Sequence, residues 1–402
     1  MLYVISVAKL FKSYKQMMTK QLNVGIVGYK FMGRAHSNAW LKAPLFFDLP
    51  AKPVLKTACG RQEKSLREFA QKWGWENTET DWKKLVSSPD IDIVDIALPQ
   101  NLHYEIALAA AKEGKHIFCE KPLAMNRKQA EEMLRVCEDN KVKHYLNHNY
   151  RRTPAISFAR KMIDEGKIGR IFHWRCAYQQ DWIVDPQFPL TWQLRKETAQ
   201  AGPQWDLNSH AVDLAHYLVG DITSVSCLTT NFIKERPLAD ETTSGNLSAA
   251  TLGDQKGEVT VEDAALMMVR FRNGAVGSFE ATRFATGRKN GLRFEIYGSK
   301  GSILFDMERM NELQYYSLAD QEGTQGFRLI QTTESSHPYA AHWWPAGHII
   351  GYEHAFVHAA ADFVQAVVND TDIEPNFQDG LKIIEVLEAG LESAALNAQV
   401  IL

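Results

Sequence analysis

Leu22-Asn-Val-Gly25-Ile-Val-Gly28-Tyr-Lys30-Phe31-Met32-Gly33 is the stretch that decides the fold. A short β-branched run ends in a glycine turn and passes straight into a helical pattern, the context a dinucleotide-binding turn requires. Gly28 can make the tight turn and Gly33 can let the following helix pack closely. The second glycine of G-x-G-x-x-G, however, is replaced by Lys30, which either contacts phosphate or points to solvent. Alone, such a turn is equally a structural one, so the flanking segments matter. Working outward, runs at Val54-Cys59, Ile91-Leu98, Lys115-Cys119 and Val142-Leu146, with a weaker one near Trp75-Thr78, alternate with helical patterns. Asn101 can cap Leu102 to Glu113, which Gly114 ends, and Asn126 with Gln129 makes a capping-box-like start to the next helix. Six strands with interleaved helices predict a doubly wound parallel α/β domain over residues 21–147.

After Asn147 the strands lengthen and are joined by turns. Candidates are Ile171-Tyr178, Ala264-Phe271, the Asn273-Gly274 turn into Ala275-Ala281, and Leu292-Tyr297 with Gly298 to Gly301 into Ser302-Phe305. Helices at Glu353-Val368 and Gln378-Ala398 close the chain. Residues 148–402 therefore read as an α+β domain with a large, mainly antiparallel sheet, and Asp240 to Lys256 as a long surface loop. In residues 1–20, the apolar run Leu2 to Ala8 precedes Lys9, Lys12 and Lys15, the reverse of a secretory signal. This segment reads as a dispensable extension, with Met17 or Met18 as candidate starts.

The 402-residue length fits two domains. Net charge is -3, with acids and bases interspersed, which excludes the basic stripe of a nucleic-acid binder and the block that targets an anionic membrane. Small molecules are the expected partners. The five cysteines are odd in number and never form C-x-x-C, so they read as reduced thiols of a cytoplasmic protein.

In a doubly wound sheet, ligands lie outside the carboxyl ends of the strands where the winding reverses. Those ends carry Gly28, Pro99 to Asn101 with His103, Cys119-Glu120-Lys121-Pro122, and Asn147 to Tyr150. Glu-Lys-Pro after a buried strand holds a lysine where proline fixes the backbone; the alternative is a surface turn with a Glu-Lys pair. Further on, helical spacing gives an apolar stripe of Leu207, Ala211, Leu214 and Leu218 beside a polar one of Asp206, His210, Asp213 and Tyr217. A carboxylate four residues before a histidine can orient it for proton transfer; equally, Asp206 can cap the helix and His210 can be solvated. His337, His342, His348, His354 and His358 include an i, i+4 pair, but Glu353 completes no H-E-x-x-H motif. They read as pocket wall, with no metal.

Together these residues resemble the Gfo/Idh/MocA oxidoreductases, through the glycine turn with Ala35-His36, Pro99 to His103, Gly114-Lys-His116 leading to Glu120-Lys121-Pro122, Asp206 to His210, and Gly298 to Gly301. Tyr150 to Pro154, Gln180 to Pro186 and Trp343 to His348 are most similar to the levoglucosan dehydrogenase and inositol dehydrogenase branch. Departures are Lys30 and Asn208, where glycines are usual. The resemblance implies a Rossmann domain that binds NAD at Gly28, Lys30, Phe31, Met32, Gly33, Arg61, Pro99, Asn101, His103, Glu120 and Lys121. NADP is possible, because Arg61 follows the second strand where an acid would repel a 2′-phosphate. Substrate contacts are implied at Tyr150, Gln180, Asp181, Trp182, Asp206 and His210, and a homodimer or homotetramer through the second sheet.

The resemblance further implies that Lys121 and His210 flank the reacting carbon, with Asp206 holding His210 or a neighbouring hydroxyl. Histidine starts near pKa ~6.5 and lysine near ~10.4, so His210 is the expected proton acceptor and Lys121 its electrostatic partner. The expected reaction is oxidation of a ring secondary hydroxyl of a neutral sugar, anhydrosugar or inositol. An NAD-dependent glycosidase acting by oxidation, elimination and re-reduction, and a catalytically silent cofactor-binding regulator, are the rivals.

Overall fold

The computed structural model describes residues 20–239 and 252–402. Residues 1–19 of the expected extension lie outside them. The chain forms two compact units.

Of the described residues, the first unit comprises 20–123, 129–149 and 351–379. Its strands are β1 (Gln21–Val27), β2 (Lys52–Cys59), β3 (Asn77–Glu79), β4 (Ile93–Ile96), β5 (His116–Cys119) and β6 (His144–Leu146). They form one parallel sheet in the order β3-β2-β1-β4-β5-β6, so the winding reverses between β1 and β4. All four residues of β4 are buried, as expected for a strand covered on both faces.

The expected second domain loses one segment to this unit. Helix His354–Asn369 packs on helix Phe31–Phe46. Its Phe363 ring meets Phe118 at 5.5 Å, and Phe356 meets His36 at 5.7 Å. Its burial extends nearly all round the helix, so periodicity reveals a core helix without saying which core.

Of the described residues, the second unit comprises 124–128, 150–239, 252–350 and 380–402. Its strands are β7 (Ile171–Gln179), β8 (Ile222–Thr230), β9 (Glu235–Ala239), β10 (Leu252–Glu258), β11 (Ala264–Phe271), β12 (Val276–Thr282), β13 (Gly291–Gly298), β14 (Gly301–Asp306), β15 (Glu312–Ser317), β16 (Arg328–Gln331) and β17 (Val400–Ile401). Nine of them form a sheet in the order β16-β15-β14-β13-β7-β12-β11-β8-β17, antiparallel except between β7 and β12. Along β11, Ala265, Met267, Val269 and Phe271 are buried, whereas Leu266 and Met268 are exposed, so helices cover one face only. The expected loop Asp240 to Lys256 needs correction at its far end: β10 pairs with β9 as a separate ribbon. Gly253 and Asp254 are poor strand formers, and they fall where the register with β9 is irregular, between Leu252 and Lys256.

Candidate active site

The glycine turn is built as its spacing requires. Gly28 has φ +115°, and a Cβ there would lie 2.2 Å from the Ala97 carbonyl oxygen; a Cβ on Gly33 would lie 2.2 Å from that of Gly28. Lys30, in contrast, has φ -80°, so the position of the missing second glycine does not call for the left-handed backbone that favours glycine. Its exposed side chain sits at the start of helix Phe31–Phe46, where free N–H groups favour an anion such as a pyrophosphate. Phe31 is 59% exposed, Met32 half-buried and Arg61 exposed. The turn residues therefore fit a dinucleotide. Gly60 is one that sequence reading missed: a Cβ there would be 2.3 Å from the Tyr29 ring, which packs over the end of β2.

Beyond β4, Pro99 and Asn101 are half-buried around a short 3-10 turn. His103 is buried, with Nδ1 3.0 Å from the Pro122 oxygen and Nε2 2.8 Å from that of Leu98. It thus ties together the turns that follow β4 and β5. Burial holds it below the usual histidine range. Lys121 is half-buried, and Glu120 before it is buried. Glu120 accepts from Asn147 Nδ2 at 2.6 Å and lies 2.8 Å from His36 Nε2. His36 Nδ1 is 2.7 Å from Asp95, to which Trp40 also donates at 2.7 Å. Asp95 was legible in principle, because a carboxylate inside a fully buried strand needs partners.

In the second unit, His210 is 6% exposed and lies flat against Tyr150, with ring centroids 4.4 Å apart. The Tyr150 and Tyr178 hydroxyls are 3.0 Å apart. Tyr178 donates to Asn290 Oδ1 at 2.7 Å, and Gln180 Nε2 donates to the same oxygen at 3.0 Å. Trp182 Nε1 in turn donates to Gln180 Oε1 at 2.7 Å. Asp181 accepts from the Gly287 amide at 2.9 Å and pairs with Lys289 at 2.8 Å, a bond that holds its carboxyl below the usual range. Tyr178, Asn290 and Arg283 had no place in the expected site. Tyr178 had a signal in the alternation of β7; Asn290 had none.

The expected continuous helix through Asp206 and His210 is interrupted. Pro203–Asp206 is one short helix and Asn208–Leu218 another, with Leu207 at the junction. Asp206 accepts from buried Arg283 Nη2 at 2.6 Å, and that guanidinium lies 5.1 Å from the Trp182 ring. Asp213, from the same expected stripe, is buried against Arg151, whose Nε donates to its two oxygens at 2.9 and 3.0 Å. Of the histidine cluster, His337 belongs to the second unit and His354 and His358 to the first, while His342 and His348 are exposed. Among the described residues, no three His, Cys, Asp or Glu side chains are grouped to hold a metal.

Two family models match the chain: the oxidoreductase family, NAD-binding Rossmann fold, over residues 22–148, and the GFO/IDH/MocA C-terminal domain over residues 156–304. The levoglucosan dehydrogenase of Pseudarthrobacter phenanthrenivorans is 43% identical over 387 residues, covering 95% of this chain and 98% of that protein. The myo-inositol 2-dehydrogenase of Thermotoga maritima is 25% identical, over 77% and 81% of the two chains. A crystallised levoglucosan dehydrogenase in complex with NADH and levoglucosan superimposes with a TM-score of 0.89 at 42% identity, covering 95% of this chain and 99% of its own.

Proposed function

The chain belongs to the Gfo/Idh/MocA family of NAD-binding oxidoreductases, and from that membership we propose that it oxidises a ring secondary hydroxyl of a neutral pyranose, 1,6-anhydrosugar or inositol. The observation that carries this reading is the polar wall of Tyr150, Tyr178, Gln180 and Asn290 beside the His210 imidazole. Side chains of this kind can satisfy several hydroxyls at once and reject analogues that lack one. Phosphorylated substrates are disfavoured, because Arg151 is 4% exposed and its guanidinium is engaged by Asp213.

Bound NAD supplies the hydride acceptor. His210 takes the hydroxyl proton, its ring plane set by the Tyr150 stack. Lys121 offers an ammonium to the alkoxide that develops as the hydride leaves. Asp206 holds Arg283, and through it the Trp182 ring, in the wall. We assign cofactor contacts to Gly28, Lys30, Phe31, Met32, Gly33, Arg61, Pro99, Asn101, Glu120 and Lys121, with His103 shaping the turns between them.

Assembly into a homo-oligomer fits the open face of the nine-stranded sheet. There Leu228, Leu266, Met268 and Val276 are 64, 46, 68 and 43% exposed, and Leu228 pairs directly with Leu266. Five cysteines without disulfides fit a cytoplasmic enzyme. The deciding experiment is NAD reduction against levoglucosan, glucose, myo-inositol, simple glycosides and sugar phosphates, with NMR of the product. Turnover confined to phosphates would overturn the substrate class, and sugar release without net NADH would shift the assignment to a glycosidase.

A further inference from the structure

The cluster around His36 is a group of buried titratable side chains that the roles of Lys121 and His210 leave unused. His36 is 1% exposed, Asp95 0% and Glu120 4%. The imidazole bridges the two carboxylates, with Nδ1 2.7 Å from Asp95 and Nε2 2.8 Å from Glu120. A ring that meets a carboxylate at each nitrogen is held best when both nitrogens carry protons. Burial alone would lower its pKa, but the charge and hydrogen bond of Asp95, joined by those of Glu120, raise it to about 10. Burial would likewise raise Glu120, yet His36, Asn147 and the charge of Lys121 bring it below the ordinary carboxylate value.

A cation thus stands between two anions, in a pocket lined by Trp40 from its own helix, Phe118 from β5 and Phe356 from helix His354–Asn369. The other titratable groups that feel these charges are Cys119 and His103. Glu120 is the residue before Lys121, so fixing its carboxylate fixes the peptide that carries the lysine.

We propose that His36 is a positioning residue of the redox site: it holds Glu120 as a carboxylate in one rotamer at the end of β5 and so keeps Lys121 in place. This deepens the role given to Lys121 above and rests on it. Two substitutions perturb the clamp in opposite directions. In His36→Gln, two buried carboxylates lose the cation between them, and Glu120 takes up a proton in the neutral range. Activity then recovers as pH rises and Glu120 ionises. In Asp95→Asn, the larger of the two attractions on His36 is gone, its pKa falls, and activity declines as pH rises and the imidazole becomes neutral.

The test measures kcat from about pH 5.5 to about pH 9.5 with NAD and levoglucosan for wild type, H36Q and D95N, each variant taken as a ratio to wild type. We expect losses of about 10–100-fold near neutrality and opposite pH slopes for the two variants. A ratio that is flat with pH, the signature of lost packing alone, would overturn the inference. Should H36Q not fold, the alkaline loss in D95N carries the same test. Crystal structures of the variants decide it independently of turnover: a displaced Lys121 supports the clamp, and Lys121 and Glu120 both in their wild-type positions refute it. Wild-type protein that reduces no NAD with any sugar counts against the dehydrogenase assignment instead.

Discussion

The planes of the Tyr150 and His210 rings lie 24° from parallel, so the tyrosine face sets the plane in which the imidazole lies. Tyr150→Ala should lower kcat by about tenfold or more through lost orientation. Tyr150→Phe keeps the ring and should retain more of kcat, its lost wall hydroxyl showing instead as a raised KM for the sugar. Initial rates of NADH formation separate the two, and equal rates for both variants would remove the stack from the mechanism.

Lys121→Ala and His210→Ala should each lower turnover by about 10²–10⁴-fold, the range for positioned acid-base groups. Binding of NAD, followed by tryptophan fluorescence, should barely change in His210→Ala and should weaken in Lys121→Ala by far less than turnover falls, through the loss of one cofactor contact. A variant that turns over at a near-normal rate loses its assigned role.

Arg283 is 1% exposed and donates to Asp206, whose side chain is 38% exposed. Asp206→Ala leaves a buried guanidinium without this carboxylate and should destabilise the protein by about 1 kcal/mol, solvent at Asp206 keeping the figure low. Asp206→Asn retains an acceptor and should cost less. Urea unfolding checks the order, and the reverse ranking would show that Asp206 does not anchor Arg283.

Arg61 stands exposed just past β2, with no acidic residue between it and Cys59. Arg61→Ala should weaken NADP binding by about tenfold, the worth of one exposed charge-assisted bond to a phosphate, and leave NAD almost untouched. Titration of both cofactors tests this; a matching loss for NAD would place Arg61 on the shared pyrophosphate instead.

The raised pKa of His36, about 10 against an ordinary 6.5, means that its stabilising contribution is complete below about pH 6.5 and is lost as pH climbs through about 10. Melting temperature should therefore fall between about pH 7 and about pH 10, and this slope should be shallower in H36Q. Parallel slopes would mean that another group carries the transition.

The parallel sheet was readable because its strands other than the polar Asn77–Glu79 contain compact apolar runs, and the glycine turn because steric contact at Gly28 and Gly33 leaves glycine as the residue that fits. What escaped was long-range. Helix His354–Asn369 announces itself as buried, but its partner is Phe31–Phe46, some three hundred positions earlier. Asn290 reaches Tyr178 and Gln180 across 112 and 110 residues of sequence. The break at Leu207 passes unnoticed in a periodic pattern, because no glycine or proline marks it.

The chain of bonds from Trp182 to Tyr150 also has a direction. An indole N–H donates and never accepts, so Gln180 must turn its oxygen toward Trp182 and its NH₂ toward Asn290. Asn290 must then present its oxygen, the Tyr178 proton goes to it, and the proton between the two tyrosines comes from Tyr150. A single nitrogen of Trp182 thereby polarises the whole row, and the Tyr150 hydroxyl, its own proton directed at Tyr178, meets its surroundings through oxygen lone pairs.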